Sequence, residues 1–431
     1  MNEYDSNRIY DFAKKINYLK TENLQEADCY VLNTCHIREK ATEKVYHEIG
    51  RIKKKFRNKK KPIVVIIGCV AQAEGEILLN NEKYIDAVLG PQSYHNFNNT
   101  LVKLDRNLQK VNFTEFDVVE KFDEINLIKN NDSKISSFLT IQEGCNKFCK
   151  FCVVPYTRGA EFSRSINELY KESIDLVNNG VKEITLLGQN VNAYNFNGKK
   201  LSRLISKISE IRSLKRIRYT TSHPLDFTDD LIEAHYKFDK LMPLIHLPVQ
   251  SGSNKILQSM NRRHTVEDYL LLINKLKKIN PKIKFSSDFI IGYPGETNKD
   301  FEETLGLLKE VKFINSYSFI FSARPGTSAA KLETINSNVA KERLIIFQKA
   351  ADEIKINYRK KLCNEKVSVL FENRTRNYDE FFGRDEHSNS VIVKSDENLI
   401  GEIRQVNILK SNRSTMFGEI YNSLGKKFFA A

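Results

Sequence analysis

The sequence predicts an α/β protein built from three parts. Within residues 1–130, apolar runs of strand length alternate with stretches of helical periodicity, which is typical of a parallel sheet between helices. Residues 131–362 hold six more strand-like runs separated by amphipathic stretches, the pattern of a partial βα-barrel. Residues 363–431 contain short β-type runs with Gly and Asn turns, which predicts a small β-barrel.

The first part begins with a helix, because apolar residues recur with helical spacing from Ile9 to Ile16. Buried strands are predicted at residues 29–35 and 62–69, and each of them ends at a cysteine. A doubly wound domain normally begins with a strand. We therefore expect that the first strand of this fold is missing ahead of the first helix.

A polar stretch at residues 129–137 predicts a linker to the second part. The strands predicted beyond it lie at residues 138–144, 182–190, 216–224, 244–252, 283–292 and 314–326. These strands end in Gly, Ser, His, Gln or Asp, residue types that suit ligand-holding loops. The strands predicted for the third part lie at residues 367–373, 390–395, 401–410 and 415–421.

Composition favours a cytoplasmic protein that binds a polyanion. The longest apolar runs, such as residues 63–68, are too short to span a bilayer, and no secretory leader opens the sequence. The 68 Lys and Arg residues exceed the 54 Asp and Glu residues, giving a net charge of +14. This excess favours nucleic acid as a partner, although the Lys, Asn and Ile usage of an AT-rich genome would also raise it. Seven cysteines are too few for a disulfide scaffold in a chain of this length.

The strongest chemical signal is the string EGCNKFCKFC, in which Cys145, Cys149 and Cys152 follow a predicted strand with C-x3-C-x2-C spacing. Thiolates are soft ligands that suit iron–sulfur clusters. Three of them can bind three irons of a 4Fe–4S cube and leave the fourth iron open. A structural zinc site would need four ligands, and the ferredoxin run has another spacing, so both alternatives fit less well.

This loop resembles the signature of the radical S-adenosylmethionine superfamily. Strings along the whole chain are similar to the methylthiotransferase family, and those at residues 2–6, 152–159 and 292–297 resemble its tRNA-modifying branch, called MiaB. The other strings that carry the resemblance are NTCHIREKA, GCVAQ, GQNVNAY, LPVQSGSNKIL, MNRRHT and SSDFIIG. The terminal barrel resembles a TRAM domain, an RNA-binding module found at this end of the family.

The resemblance implies a transferase that methylthiolates C2 of an isopentenylated adenosine beside the anticodon, at position 37. It implies that the open iron chelates S-adenosylmethionine, whose reductive cleavage gives a hydrogen-abstracting radical. It also implies a second 4Fe–4S cluster in the first domain, with Cys35 and Cys69 among its ligands. The implied partners are the tRNA anticodon stem-loop, a low-potential electron donor and a sulfur donor, with no membrane involved.

The family uses a third cysteine in the first domain, and Met1 stands at its place here. We expect that the given chain starts at an internal Met, which would leave the second cluster incomplete. Cys29 is a less favourable substitute because it lies at the far end of its strand from Cys35, about 20 Å away at ~3.3 Å per residue. Cys29 and Cys363 are interpreted as structural residues.

Polar and glycine residues at the ends of successive barrel strands are candidate contacts for cofactor or substrate, with loop capping as the alternative. These candidates are Gly188, Gln189, Asn190, Ser222, His223, Gln250, Ser251, Asp288, Gly292 and Arg324. The run RIKKKFRNKKK at residues 51–61 either contacts RNA phosphates or faces solvent. Phe381, Phe382 and Arg384 either stack on RNA bases or pack the barrel.

Three other functions remain open on the sequence. The chain could methylthiolate threonylcarbamoyl-adenosine in tRNA, or it could modify a ribosomal protein, as related branches do. It could also bind tRNA and cleave S-adenosylmethionine without inserting sulfur, because one auxiliary-cluster cysteine is absent from the given sequence.

Overall fold

A computed structural model describes residues 1–35, 40–105, 110–126 and 134–421 of the chain. The first part is a parallel four-stranded sheet of order β1-β2-β3-β4 with helices on both faces. Its elements are α1 (Asn2–Lys14), β1 (Cys29–Thr34), α2 (Lys40–Lys55), β2 (Ile63–Gly68), α3 (Cys69–Asn81), β3 (Ala87–Leu89), α4 (Phe97–Asp105), β4 (Val111–Phe113) and α5 (Val118–Asn126).

Strand β2 is buried on both faces because its side chains alternate between two cores. Val65 and Ile67 pack against residues of α1, α4 and α5, whereas Val64 and Ile66 pack against residues of α2 and α3. The helix, the two strands and the parallel sheet predicted for this part are confirmed. Strands β3 and β4 were not predicted, because three residues are too few to show a period.

The second part is a partial barrel with six parallel main strands. Its strands are β5 (Ser136–Thr140), β6 (Gln142–Glu143), β7 (Phe162–Ser163), β8 (Glu183–Leu187), β9 (Asn195–Phe196), β10 (Lys199–Lys200), β11 (Arg216–Tyr219), β12 (Leu244–His246), β13 (Lys284–Ile291) and β14 (Asn315–Ile320). Two parallel sheets, β5-β8-β11 and β12-β13-β14, are joined where Met242 N donates to Ile217 O at 2.9 Å. The predicted partial βα-barrel is therefore confirmed.

Helices cover the outside of this barrel and bury its outward-facing strand residues in two large cores. The helices with residues in these cores are α7 (Ile166–Asn178), α8 (Leu201–Ser209), α9 (Asp229–Lys237), α11 (Val266–Ile279), α12 (Asn298–Val311) and α13 (Ser337–Lys361). Two shorter helices, α6 (Val154–Thr157) and α10 (Asn254–Ser259), have no residue in either core. Capping boxes begin α11 at Thr265 and α12 at Thr297, which fixes where both helices start. No helix within the described ranges is long and apolar enough to cross a membrane.

The third part is a closed barrel of order β15-β16-β17-β19-β18. Its strands are β15 (Lys366–Arg374), β16 (Glu380–Arg384), β17 (Ser390–Lys394), β18 (Ile403–Ser411) and β19 (Thr415–Ile420). The predicted small barrel is confirmed, with one strand more than the four predicted. Strand β16 was missed because EFFGR begins with a charge, contains a glycine and lacks a clear alternation.

Two arginines of β11 attach the small barrel to the partial barrel. Ile217 packs outward into the helix-covered core, so its neighbours Arg216 and Arg218 point to the inner side of the barrel. Arg216 donates to the carbonyls of Arg384 and Ser368, both at 2.8 Å. Arg218 donates to two carbonyls of the β16–β17 turn, also at 2.8 Å. Side chains of the second part thus hold the backbone of the third part.

Candidate active site

The three-cysteine loop leaves β6 and is held closely by the segment that precedes β7. Gly144 has φ +76°, and a Cβ there would lie 1.9 Å from the carbonyl oxygen of Ala160. Only glycine fits both this conformation and this approach. Cys145 N donates to Gly159 O at 3.2 Å, which joins the start of the loop to the return segment. The loop begins at a fixed position on the barrel.

The segment between α10 and α11 holds the middle of the cysteine loop. Lys150 N donates to Met260 O, and Asn261 Nδ2 donates to Phe148 O, both at 3.0 Å. Arg262 places its Nη1 3.6 Å from Cys149 Sγ and donates to it. Met260, Asn261 and Arg262 belong to the MNRRHT string, one of those that carry the family resemblance. A cation beside a thiol stabilises the thiolate, the form that binds metal.

The thiols of the loop lie in a low-dielectric environment. Burial raises the pKa of Cys145 to about 11 and that of Cys152 to about 12. Within the part of the chain that the structure describes, no three His, Cys, Asp or Glu side chains are grouped tightly enough to hold a single metal ion. An iron–sulfur cube takes one thiolate per iron, so its ligands stand further apart than those of one ion. Three thiols on one short loop are the donor type that iron–sulfur clusters use.

Two glutamines connect the cysteine loop to the end of β8. Gln142 Oε1 accepts hydrogen bonds from the backbone N–H groups of Gln189 and Asn190, both at 3.1 Å. Gln189 Oε1 in turn accepts from Gly144 N at 2.7 Å. A Cβ at Gly188 would lie 2.6 Å from Gln142 Oε1, so this glycine is required for the approach. Three of the predicted site residues therefore lie directly against the cysteine loop.

A second polar layer surrounds Asn190. Its Nδ2 donates to Asp226 Oδ2 at 2.7 Å, and Lys147 of the cysteine loop forms an ion pair with Asp226 at the same distance. Asn192 holds the backbone of His223 through two hydrogen bonds of 2.8 Å. Asp226, Lys147 and Asn192 were not among the predicted site residues. Lys147 and Asn192 lie within strings that the sequence singles out, but no local pattern shows that they meet Asp226 and His223, which are far away in the chain.

Several buried polar atoms around this loop have no hydrogen-bond partner among the residues described. They are Asn190 Oδ1, Ser222 Oγ, His223 Nε2, Arg262 Nε and His264 Nε2. Buried polar groups normally form hydrogen bonds, so a group of such atoms without partners indicates that a polar ligand binds here. The rings of His223 and His264 are 5.8 Å apart. Burial lowers the pKa of His223 well below its usual range and that of His264 to about 4, so both are neutral at pH 7.

Left-handed backbone conformations at non-glycine residues occur at the same face. Phe148, Thr221 and Gln250 have φ values of 47°, 70° and 78°. Each such conformation costs about 1–3 kcal/mol, and such strain collects at ligand sites. Phe148 belongs to the cysteine loop, while Thr221 and Gln250 follow β11 and β12. The backbone around the candidate site is thus held in place by the surrounding structure.

The remaining predicted residues have packing contacts as well. Ser251 Oγ lies 3.3 Å from Thr304 Oγ1 of α12. A Cβ at Gly292 would lie 2.9 Å from Ala340 Cβ of α13. Arg324 is buried, and its carbonyl accepts from Thr327 in the turn after β14. Asp288 lies on the inner face of β13, and its carbonyl accepts a hydrogen bond from Gln250 N at 3.0 Å. For all ten predicted positions a contact with cofactor or substrate stays a prediction.

Cys35 and Cys69 lie at the carboxyl edge of the first sheet. Thr34 pairs with Gly68 in the parallel register of β1 and β2, so the two cysteines follow neighbouring strand ends. Helix α3, which begins at Cys69, contacts α6 directly after Cys152. The sheet edge therefore faces the cysteine loop. Cys29 is at the opposite end of β1, where burial raises its pKa to about 12, and Cys363 packs against the core of the small barrel.

A buried group of four charges joins the first and second parts. Arg158 contacts Asp5 at 2.8 Å and Glu143 at 3.4 Å, and Lys121 forms an ion pair with Glu143. The charges of Arg158 and Lys121 outweigh the effect of burial and lower the pKa of Asp5. This group was not predicted, because its members come from separate elements.

The basic run is the end of α2 and the turn after it. Ile52 and Phe56 are buried in the core of the first sheet. Lys53 and Lys61 form ion pairs of 2.8 and 2.5 Å with Glu82 and Asp86 of the same part. Lys53 and Lys61 therefore have partners within the protein, and they fit the interpretation of the run as a surface segment that does not bind RNA. Contact with RNA phosphates stays a prediction for the others.

The aromatic pair of the small barrel is divided between two roles. Phe381 is buried in the barrel core, which matches the packing alternative. Phe382 and Arg384 are half-buried on the other face of β16, with the Arg384 guanidinium 5.2 Å from the Phe382 ring centre. The sequence could not separate the two phenylalanines, because the strand itself was not predicted.

Three family descriptions match separate stretches of the chain. The match to "Uncharacterized protein family UPF0004" covers residues 1–90, that to the "Radical SAM superfamily" residues 139–308, and that to the "TRAM domain" residues 360–421. Among solved structures, the radical S-adenosylmethionine methyltransferase TsrM from Kitasatospora setae aligns with a TM-score of 0.56 at 11% identity, over 76% of this chain and 74% of that chain. At this identity the likeness concerns the fold alone.

Curated relatives match over nearly the whole chain. A tRNA-2-methylthio-N(6)-dimethylallyladenosine synthase of Pelagibacter ubique (strain HTCC1062) is 57% identical, over 99% of this chain and 97% of the relative. Proteins of the same name from Rickettsia akari (strain Hartford) and Wolbachia pipientis subsp. Culex pipiens (strain wPip) are each 46% identical, over 97% of both chains. The chain therefore belongs to the tRNA-2-methylthio-N(6)-dimethylallyladenosine synthase family of radical S-adenosylmethionine enzymes.

Proposed function

We propose that this chain is a transferase that methylthiolates tRNA. It replaces the C2 hydrogen of an isopentenylated adenosine beside the anticodon, at position 37, with a methylthio group. The observation that carries the proposal is the three-thiol loop, anchored at the carboxyl ends of the barrel strands among buried polar atoms that lack partners. The names of the full-length relatives give the substrate class.

Cys145, Cys149 and Cys152 are the residues that would hold a 4Fe–4S cluster, and the orphaned polar atoms beside them suit the polar groups of S-adenosylmethionine. When bound, these cofactors supply the one-electron chemistry that an unactivated ring C–H bond requires. Arg262 offsets thiolate charge at Cys149, which is the buried one of the three thiols. Gln142 and Gln189 fix the loop against β8, so the site is organised before ligands bind.

Cys35 and Cys69 would be ligands of a second 4Fe–4S cluster, which would supply the inserted sulfur when it is bound. Their neighbouring strand ends and the contact between α3 and α6 support this assignment. Reductive cleavage of S-adenosylmethionine requires electrons, and each methylthio group contains one newly inserted sulfur atom. We therefore infer that the enzyme needs an external low-potential electron donor and a sulfur donor.

The substrate side of the proposal concerns the anticodon stem-loop of tRNA in the cytoplasm. The match to the TRAM domain supports RNA binding by the third part, and the net charge of +14 favours a polyanionic partner for the chain as a whole. We propose three functional units with the predicted bounds: the auxiliary-cluster domain 1–130, the radical barrel 131–362 and the RNA-binding barrel 363–431. The family matches fall within or close to these ranges.

The test is complementation of a bacterial strain that lacks its own enzyme of this family. We expect the chain to restore 2-methylthio-N6-isopentenyladenosine, measured by mass spectrometry of tRNA nucleosides. Cys145→Ala should abolish the product and lower the iron content of the purified protein, because the cluster of the barrel loses one ligand while the second cluster keeps its own. Cys363→Ala is the matched control, since this thiol packs on the small barrel and should leave both readouts unchanged.

Other outcomes would contradict the proposal. A methylthio group on threonylcarbamoyl-adenosine, or on a ribosomal protein, would assign the chain to another branch. An unchanged nucleoside profile from a chain that still cleaves S-adenosylmethionine would show that sulfur insertion is absent.

A further inference from the structure

The inner face of β13 and β14 presents aromatic rings to an open edge of the barrel. Phe285, Phe289 and Ile291 pack outward under the helices, so the alternate residues of β13 point inward. The register pairs Asp288 with Tyr317, which places both on this inner face. Among the described strands, β14 pairs with β13 alone. Tyr317 is 52% exposed and Phe319 is 37% exposed, although both face inward.

Polar groups stand beside these rings. His246 on β12 lies 3.5 Å from the Asp288 carboxylate through Nε2 and 3.0 Å from Ser286 Oγ through Nδ1. The rings of His246 and Tyr317 meet edge to face, with centroids 5.9 Å apart. The Asp288 side chain is 32% exposed, so an incoming group can reach it. We call His246, Ser286, Asp288, Tyr317 and Phe319 the inner wall.

The inner wall lies next to the candidate cofactor site. Gln250 N donates to Asp288 O at 3.0 Å, and Ile290 N donates to Gln250 O at 2.9 Å. Gln250 is one of the left-handed residues at the strand ends described above. A ligand on the inner wall would therefore be adjacent to a ligand at the strand ends.

The inner wall also continues towards the small barrel. Burial and the Asp288 carboxylate raise the pKa of the Tyr317 hydroxyl, and the charge of Arg384 opposes them by lowering it. Arg384 forms an ion pair of 3.3 Å with Glu372, and its backbone is fixed by Arg216. Arg384 and Phe382 thus extend the aromatic and cationic surface beyond the edge of the partial barrel.

We propose that Tyr317 and Asp288 receive the target adenine base of the RNA once it has left the anticodon stack. The Tyr317 ring stacks on the base, and the Asp288 carboxylate accepts the hydrogen bond of its N6–H. Arg384 and Phe382 contact the adjoining nucleotide. This inference rests on the proposed function and adds the residues that recognise the base. Stacking on aromatic rings and hydrogen bonding at the base edge are how proteins read unpaired RNA bases.

The test measures the coupling between one base and one ring. Two anticodon stem-loop RNAs are compared, one with isopentenyladenosine at the target position and one that is abasic there. Both carry the same phosphates, so their electrostatic attraction is equal. We expect wild-type protein to bind the intact RNA roughly tenfold more tightly, the size of one base–aromatic stack. Tyr317→Leu should remove this preference, and Tyr317→Phe should retain it.

The matched control is Tyr236→Leu, on the outer surface of α9, where the tyrosine is 74% exposed. It should keep the tenfold preference. A Tyr317→Leu variant that still prefers the intact RNA would overturn the inference. So would a rise in the dissociation constant for S-adenosylmethionine with no change for RNA, which would assign the wall to the cofactor. Binding is measured without turnover, so absence of methylthiolated product would count against the proposed function alone.

Discussion

At the scale of single residues, the candidate site depends on close approaches that side chains would block. Gly144 and Gly188 are the two positions where the cysteine loop and the end of β8 contact neighbouring backbone or a buried amide. Gln142 occupies the space beside Gly188 and accepts two backbone hydrogen bonds there. The position of the cysteine loop is therefore coupled to a glycine 43 residues after Cys145.

Gly188→Ala is expected to weaken the cofactor site. Its Cβ would lie 2.6 Å from Gln142 Oε1, so the amide must move and release Gln189 and Asn190. We expect a stability loss of about 1–3 kcal/mol, typical of overpacking, and weaker binding of S-adenosylmethionine in calorimetry. Gly306→Ala in α12 is the control, because nothing lies within 4 Å of its Cβ. It should be neutral or stabilising by up to about 1 kcal/mol. Equal effects of both substitutions would refute the explanation.

At the scale of elements, α12 begins at a buried cap that also positions the loop after β12. Asp300 accepts hydrogen bonds from Thr297 and from Ser253, and Lys255 lies 2.9 Å away. Ser251 in the same loop contacts Thr304 of α12. The capping box is visible in the sequence as Thr297 and Asp300. The contacts of Asp300 with Ser253 and Lys255, more than 40 positions earlier, are not visible in the sequence.

Asp300→Asn tests this cap through pH. Burial opposes ionisation, but the hydrogen bonds from Thr297 and Ser253 and the charge of Lys255 lower the pKa of Asp300 from its ordinary 3.8. A lowered pKa gives stability that is present above pH 3.8 and is lost as the pH falls towards the folded-state value. We expect the variant to lose about 1–2 kcal/mol in urea unfolding at pH 7.

The difference between wild type and Asp300→Asn should shrink below pH 4. Asp268→Asn is the matched control, because Asp268 closes the capping box of α11 at an exposed position. It should have a smaller effect at pH 7. A difference that stays constant down to pH 3 would mean that ionisation of Asp300 does not contribute.

At the scale of the whole molecule, side chains of the partial barrel connect it to its neighbours. Arg158 and Glu143 meet Asp5 and Lys121 of the first part, while Arg216 and Arg218 hold the third. Arg216 donates to carbonyl groups, and burial lowers its pKa. These contacts fix the small barrel next to the inner wall.

Arg216→Met is expected to loosen the small barrel without unfolding it. The two carbonyl contacts at Arg384 and Ser368 are lost, and a buried cation is removed. Hydrogen exchange should therefore increase at the backbone amides around residues 384–386, while the barrel core stays protected. Arg404→Met is the control, since Arg404 pairs with Glu402 on the exposed side of β18. Unchanged exchange in Arg216→Met would show that other contacts attach the barrel.

The three-part α/β class, most strand positions and the three-thiol loop could be predicted from the sequence, because they depend on local periodicity and on short spacings between residues. Phe381 and Phe382 look equivalent in the sequence, yet one packs the core and the other faces Arg384. Only the tertiary structure decided this, as it decided the contact of Arg262 with Cys149 and the inner wall around Asp288. Such contacts join residues far apart in the chain, and no local pattern encodes which of them the closed barrel brings together.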